Sequence, residues 1–176
     1  MIDRVSSVYG RLLAGLALVG CALLMVMTLI IVADVALRNI AVPGLPRGLA
    51  WANEISELML YLITMCLAPW LLRQGQHIRV DILLRALPPR LAWYFEWVSD
   101  VIGLGCCAVI AWYGTQAAWS SYLAGAVNIK TLVTPEWWGL APLPVVFVLL
   151  QIEIVFRMIR LQRGERGPRA DAVSAA

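Results

Sequence analysis

The stretch that decides the fold runs from Trp51 to Asp81: WANEISELMLYLITMCLAPWLLRQGQHIRVD. An apolar run, Leu58 to Leu72, has two carboxylates at its front, Glu54 and Glu57. Behind it comes a polar exit that carries Arg73, His77, Arg79 and Asp81. A water-soluble core helix has one apolar stripe and a polar back; this run is apolar on every side. The segment therefore predicts a membrane helix with specified ends, and specified ends imply specific neighbours.

Composition extends the same reading to the whole chain. The 176 residues are 61% hydrophobic and 14% charged, and the mean hydropathy is +0.79. Soluble domains are nearer 45–50% apolar and about 25% charged. One bundle accommodates this length. Four stretches qualify as spans, at about residues 12–34, 51–72, 93–122 and 140–161. Leu12 to Ala33 carries no charge and exceeds the ~20 residues a bilayer core requires. It is too long for a signal-peptide core, usually about 7–15 residues. The third stretch is longer than a ~30 Å core needs at ~1.5 Å per residue, so it should tilt or project into water. Pro142 and Pro144 suit the first turn of the fourth helix, where a missing N–H has no intrahelical partner to lose. Trp51, Trp70, Trp93, Trp97, Trp119, Trp137 and Trp138 fall near span ends, the depth that indoles favour.

Basic residues orient the chain. Arg4 and Arg11, then Arg73, Arg79, Arg85 and Arg90, then Arg157, Arg160, Arg163, Arg166 and Arg169 lie on one side; Arg38, Arg47 and Lys130 lie on the other. By the positive-inside rule both termini and the middle loop are cytoplasmic. The net charge of +3 thus reports orientation and not nucleic-acid binding. The expected architecture is an all-α membrane protein with four transmembrane helices. A short amphipathic interfacial segment follows Val80 and stops at Pro88-Pro89. Residues 1–162 form the membrane domain and 163–176 a disordered cytoplasmic tail.

Ionisable residues at span ends are candidate contacts, because an unpaired charge in hydrocarbon costs at least ~2.5–3.5 kcal/mol. Asp34 and Arg38, spaced i,i+4, can pair with each other or meet a partner. Glu54 and Glu57 share a face with Trp51. They either answer the helix dipole at a wet end or form a polar seam against another helix or subunit; a proton-coupling role would need a relay of acids, and the span centres carry none. Glu96 and Asp100 repel each other at i,i+4 unless cytoplasmic arginines such as Arg85 or Arg90, or a basic partner, relieve them. Glu153 precedes Arg157 by one turn, the favourable order for a self-pair. Arg73, His77, Arg79 and Asp81 form the densest cluster, either a solvated turn or an organised elbow.

Several chemistries have no support in the sequence. His77 is the sole histidine, too few for a bis-His haem or a zinc site. No phosphate loop or nucleophile motif occurs, and no cofactor is expected. Cys21, Cys66, Cys106 and Cys107 lie inside apolar runs without a Cys-x-x-Cys spacing and read as small hydrophobes.

The residues Trp51-x-x-Glu54, then Arg73-x-x-x-His77-Ile78-x-Val80-Asp81, resemble the small membrane subunit of tripartite ATP-independent periplasmic (TRAP) transporters, the DctQ-like family. Asp34-Val35-x-x-Arg38, Thr134-Pro135, Pro142 and Pro144 extend the likeness over roughly residues 10 to 160. The resemblance implies a non-enzymatic scaffold subunit in the bacterial inner membrane. Its partners would be a large TRAP membrane subunit, a periplasmic substrate-binding protein and the lipid bilayer, in Na⁺-driven uptake of an organic acid. It implies a subunit contact organised by Trp51, Glu54 and the Arg73–Asp81 elbow. Two other readings stay open: the small subunit of a tripartite tricarboxylate transporter, which the His-Ile-x-Val-Asp elbow disfavours, and a cysteine-based membrane redox protein.

Overall fold

A computed structural model describes residues 2–40, 48–75 and 88–163. Four long helices dominate it: α1 (Ile2–Asn39), α2 (Ala52–Arg73), α3 (Pro89–Ala124) and α5 (Pro142–Arg163), with a single turn, α4 (Trp137–Leu140), leading into α5. Each long helix has length and apolarity enough to cross a membrane. The protein is thus a four-helix membrane protein. The expected interfacial segment after Val80, the elbow residues His77, Arg79 and Asp81, and the expected tail all lie outside the described residues, apart from Arg163 at the end of α5.

At ~1.5 Å per residue α2 and α5 are about 33 Å long, a close match to a ~30 Å hydrocarbon core. The 36 residues of α3 and 38 of α1 give about 54 and 57 Å, so both outer helices run well past it. The overlength expected of the third span is therefore found in the first as well. Nothing in Ile2–Arg11 breaks a helix, and the polar residues there simply carry α1 beyond its apolar run.

The helices pack in the order α1–α2–α5–α3. The central core lies where α2, α5 and α3 meet and consists of Leu72, Cys107, Val146, Leu150 and Ile154. Gly114 lets α3 approach α5: a Cβ there would stand 2.5 Å from Leu143 Cδ2. Pro69 is buried within α2; its missing N–H leaves one carbonyl of the preceding turn unbonded, which packed neighbours make tolerable in a membrane helix. This arrangement is a row more than a closed bundle. Only 11–22% of the residues in each helix's most apolar stretch are buried within the chain. Outward faces such as Leu18, Met25 and Leu29 on α1, and Ile102, Val109 and Trp112 on α3, are exposed.

One element departs from the all-helical expectation. Residues read as a plain loop form an antiparallel hairpin, β1 (Val127–Ile129) with β2 (Val133–Pro135), in register Val127 to Pro135 and Ile129 to Val133. It stands between α3 and α4, at the end of the row opposite the two termini.

Candidate functional site

The charged side chains of the described residues gather at the two ends of the row, and both clusters join helices. At the termini end the centre is Glu153 on α5, with 0% of its side chain exposed. Arg73 Nη1 at the end of α2 lies 3.0 Å from Oε2, and Arg160 Nη2 lies 2.5 Å from Oε1. Arg73 Nη2 also donates to the Ser6 carbonyl (2.9 Å) and the Ser6 hydroxyl (3.2 Å) on α1. The guanidinium crosses α1 over Gly10, where a Cβ would come within 2.9 Å of it. The Tyr9 hydroxyl donates to the Leu149 carbonyl at 2.6 Å, and its ring lies beside Phe156. On the other flank of α5, Arg157 Nη2 lies 3.5 Å from Asp100 Oδ1 on α3. Polar contacts thus run from α3 through α5 and α2 to α1.

This geometry corrects one expectation. Glu153 takes Arg73 and Arg160 as its partners, and Arg157 reaches Asp100. Helix geometry gives the reason. Seven residues are nearly two full turns, so Arg160 returns to within about 20° of Glu153, while Arg157 is turned about 40° away, toward α3. That turn brings Arg157 of α5 to Asp100, a counter-charge for the Glu96–Asp100 pair from within the described residues; Arg85 lies outside them. Glu96 and Asp100 are themselves buried, each 5% exposed.

At the hairpin end, Asp34 and Arg38 form the expected pair, Oδ2 to Nε at 2.8 Å. The other Asp34 oxygen accepts from the Leu49 amide at 2.6 Å, which ties α1 to the lead-in of α2. Gly48 permits this by its φ of +99°, a conformation that L side chains rarely adopt. Trp51 follows, half-buried, its carbonyl accepting from the Ile55 amide at 3.1 Å. Glu54 then reaches the hairpin: its two oxygens accept from the Thr131 amide (2.6 Å) and the Leu132 amide (2.9 Å). Glu57 pairs with Lys130 at 2.9 Å, and this hydrogen bond and charge hold the ammonium above its ordinary pKa. The seam expected at Glu54 and Glu57 is therefore met by the chain's own hairpin. The Ser121 hydroxyl, 3.3 Å from Glu136, adds a link from α3 to the start of α4.

Sequence reasoning singled out Asp34, Arg38, Trp51, Glu54, Glu57 and Arg73, and the structure places the first five together at the hairpin end and Arg73 at the other. It missed Ser6, Tyr9, Gly10 and Arg160 as parts of one cluster. The available signal was the spacing of seven between Glu153 and Arg160.

Among the described residues no group of three His, Cys, Asp or Glu side chains could hold a metal ion. The four cysteines are free thiols; Cys107 is buried in the core while adjacent Cys106 faces outward. What the geometry defines is a multi-pass membrane protein whose charges join its own helices at both ends and leave the middle apolar. The chain belongs to the family of tripartite ATP-independent periplasmic transporters, DctQ component, whose model matches residues 27–164. That family is a transporter-component family and not an enzyme family. No individual curated protein matches the chain.

Proposed function

We propose that this chain is the static brace of its transporter. It sits in the bacterial inner membrane with both termini in the cytoplasm and packs beside a large membrane subunit. That subunit moves an organic acid, delivered by a periplasmic binding protein, inward, driven by a Na⁺ gradient. The observation that carries the reading is the stitching of the row at both ends while its flanks stay open. Glu153, Arg73 and Asp100 fix the helices to one another at one end, and Glu54 and Asp34 do so at the other. Between these clusters α1 and α3 present apolar faces that the chain itself does not cover. A rigid row with an uncovered apolar side suits a frame against which a neighbouring subunit slides. Anionic solutes need charges or broken helices at mid-membrane; the one charge near the middle of a span, Glu153 of α5, is buried and already paired with Arg73 and Arg160, and the described spans offer no break beyond Pro69 in α2.

The sequence-derived contact set takes a revised role in this reading. Glu54 and Arg73 are engaged inside the chain, so they act on the partner by fixing the shape of the hairpin and the row. Asp34, Arg38, Trp51 and Glu57 support the same end. His77, Arg79 and Asp81 remain as the proposed elbow.

Reconstitution tests the proposal. The chain alone in liposomes should transport nothing, with or without a Na⁺ gradient. With a large subunit and a loaded binding protein it should support Na⁺-dependent uptake of an organic acid. Uptake by this chain alone, or full uptake by the large subunit without it, overturns the proposal.

A further inference from the structure

At the termini end, α1, α2 and α5 enclose an open cavity of about 460 Å³, within the ~300–1,000 Å³ range of ligand-binding clefts. Its polar lining is Ser6, Ser7, Arg11, Arg73, Gln74 and Arg160. Three arginines therefore line one space. Among the described residues the carboxylate paired with two of them, Glu153, has 0% of its side chain exposed and does not line the cavity. It already answers both Arg73 and Arg160. Arg11 is exposed and has no carboxylate partner among the described residues. Among the described residues the charge around the cavity is thus three positive against one negative, with two serine hydroxyls and an amide beside it.

The rest of the lining is apolar and includes Trp70 and Phe156. Arg11 is also the last charged residue before the uncharged run that begins at Leu12. The cavity therefore straddles the level at which the chain passes from polar to apolar, the depth of lipid headgroups. Arginine clusters suit phosphate oxygens, because several N–H groups can donate to one anion with charge assistance.

We propose that this cavity is a phosphate-anion site, filled in the membrane by the headgroup of an anionic phospholipid whose glycerol and upper acyl chain lie along the Trp70 and Phe156 wall. The bound lipid adds the missing negative charge beside Arg11 and pins α1 to α2 and α5. This proposal stands independently of the transport role.

Titration of the purified full-length chain in neutral detergent tests it, with phosphatidylglycerol, phosphatidylcholine and inorganic phosphate as probes and native mass spectrometry as the readout. Wild-type protein should bind phosphatidylglycerol saturably and prefer it to phosphatidylcholine. Arg11→Gln should weaken phosphatidylglycerol binding about tenfold, the worth of one charge-assisted hydrogen bond, with an unchanged melting temperature. Arg11→Lys should retain most of the preference, and Arg90→Gln, at the exposed start of α3, should retain all of it. Competition of inorganic phosphate with the lipid supports one shared site. Phosphate binding that depends on Arg11 but is not displaced by phosphatidylglycerol overturns the lipid as the occupant. Equal phosphatidylglycerol binding by wild type and Arg11→Gln overturns the site.

Discussion

Replacing Glu153 by Ala tests whether the termini-end cluster holds the row together. The carboxylate is fully buried, whereas its partners Arg73 and Arg160 are 20% and 44% exposed. Removing one member of a buried pair typically costs about 3–5 kcal/mol, because the remaining charge stays buried. Here the loss is smaller. Arg160 can turn to water, and Arg73 keeps its two hydrogen bonds to Ser6. About 2–4 kcal/mol is therefore expected for Glu153→Ala. For a chain of this size that corresponds to a melting temperature lowered by roughly 5–15 °C, at about 2–4 °C per kcal/mol. Glu153→Gln should cost less, since one amide oxygen still accepts from a guanidinium. The measurement is thermal unfolding in one fixed detergent, followed by near-UV circular dichroism, for Glu153→Ala, Arg73→Gln and the double variant. Residues in direct contact couple, so the double variant should lose clearly less than the sum of the single ones. A shift below about 2 °C for Glu153→Ala, or simple additivity in the cycle, would refute the role given to this pair.

At the hairpin end, Glu54→Gln leaves one acceptor oxygen for the Thr131 and Leu132 amides, so one of their two hydrogen bonds is lost and the other loses its charge assistance; hydrogen exchange at these amides should quicken roughly tenfold while that of the α2 centre stays the same. Gly114→Val forces α3 away from Leu143 and Pro144; overpacking of this kind costs about 1–3 kcal/mol, and crosslinking between α3 and α5 should fall. Topology is expected to follow the basic residues. A reporter active only in the periplasm should be silent when fused at residue 176 and active near residues 44 and 128; activity at residue 176 would contradict the four-span orientation.

The helices were legible in the sequence because hydropathy in a membrane protein is a local signal. A run such as Leu58–Leu72 identifies itself without reference to any other part of the chain. The Asp34–Arg38 pair was legible for the same reason, since both residues lie on one helix within one turn. The hairpin was harder to see. Its strands are three residues each, too short for a clear alternation, and it is held by Glu54, some 75 residues away in the chain.

The Glu153 cluster shows where local reasoning stops. On α5 alone, Arg157 is the better partner by the i,i+4 rule, worth a few tenths of a kcal/mol on an exposed helix. Burial changes which contact wins. Once Glu153 lies between α5 and α2 it requires donors that reach it from the α2 side, and Arg73 and Arg160 do so. Arg73 in turn can cross α1 only because residue 10 has no side chain. None of these conditions can be read from one helix, since each depends on how two others are placed. The same dependence explains the function proposed for the cluster. Contacts that form only when four helices are correctly arranged make that arrangement difficult to deform, and resistance to deformation is what a transporter's static frame has to provide.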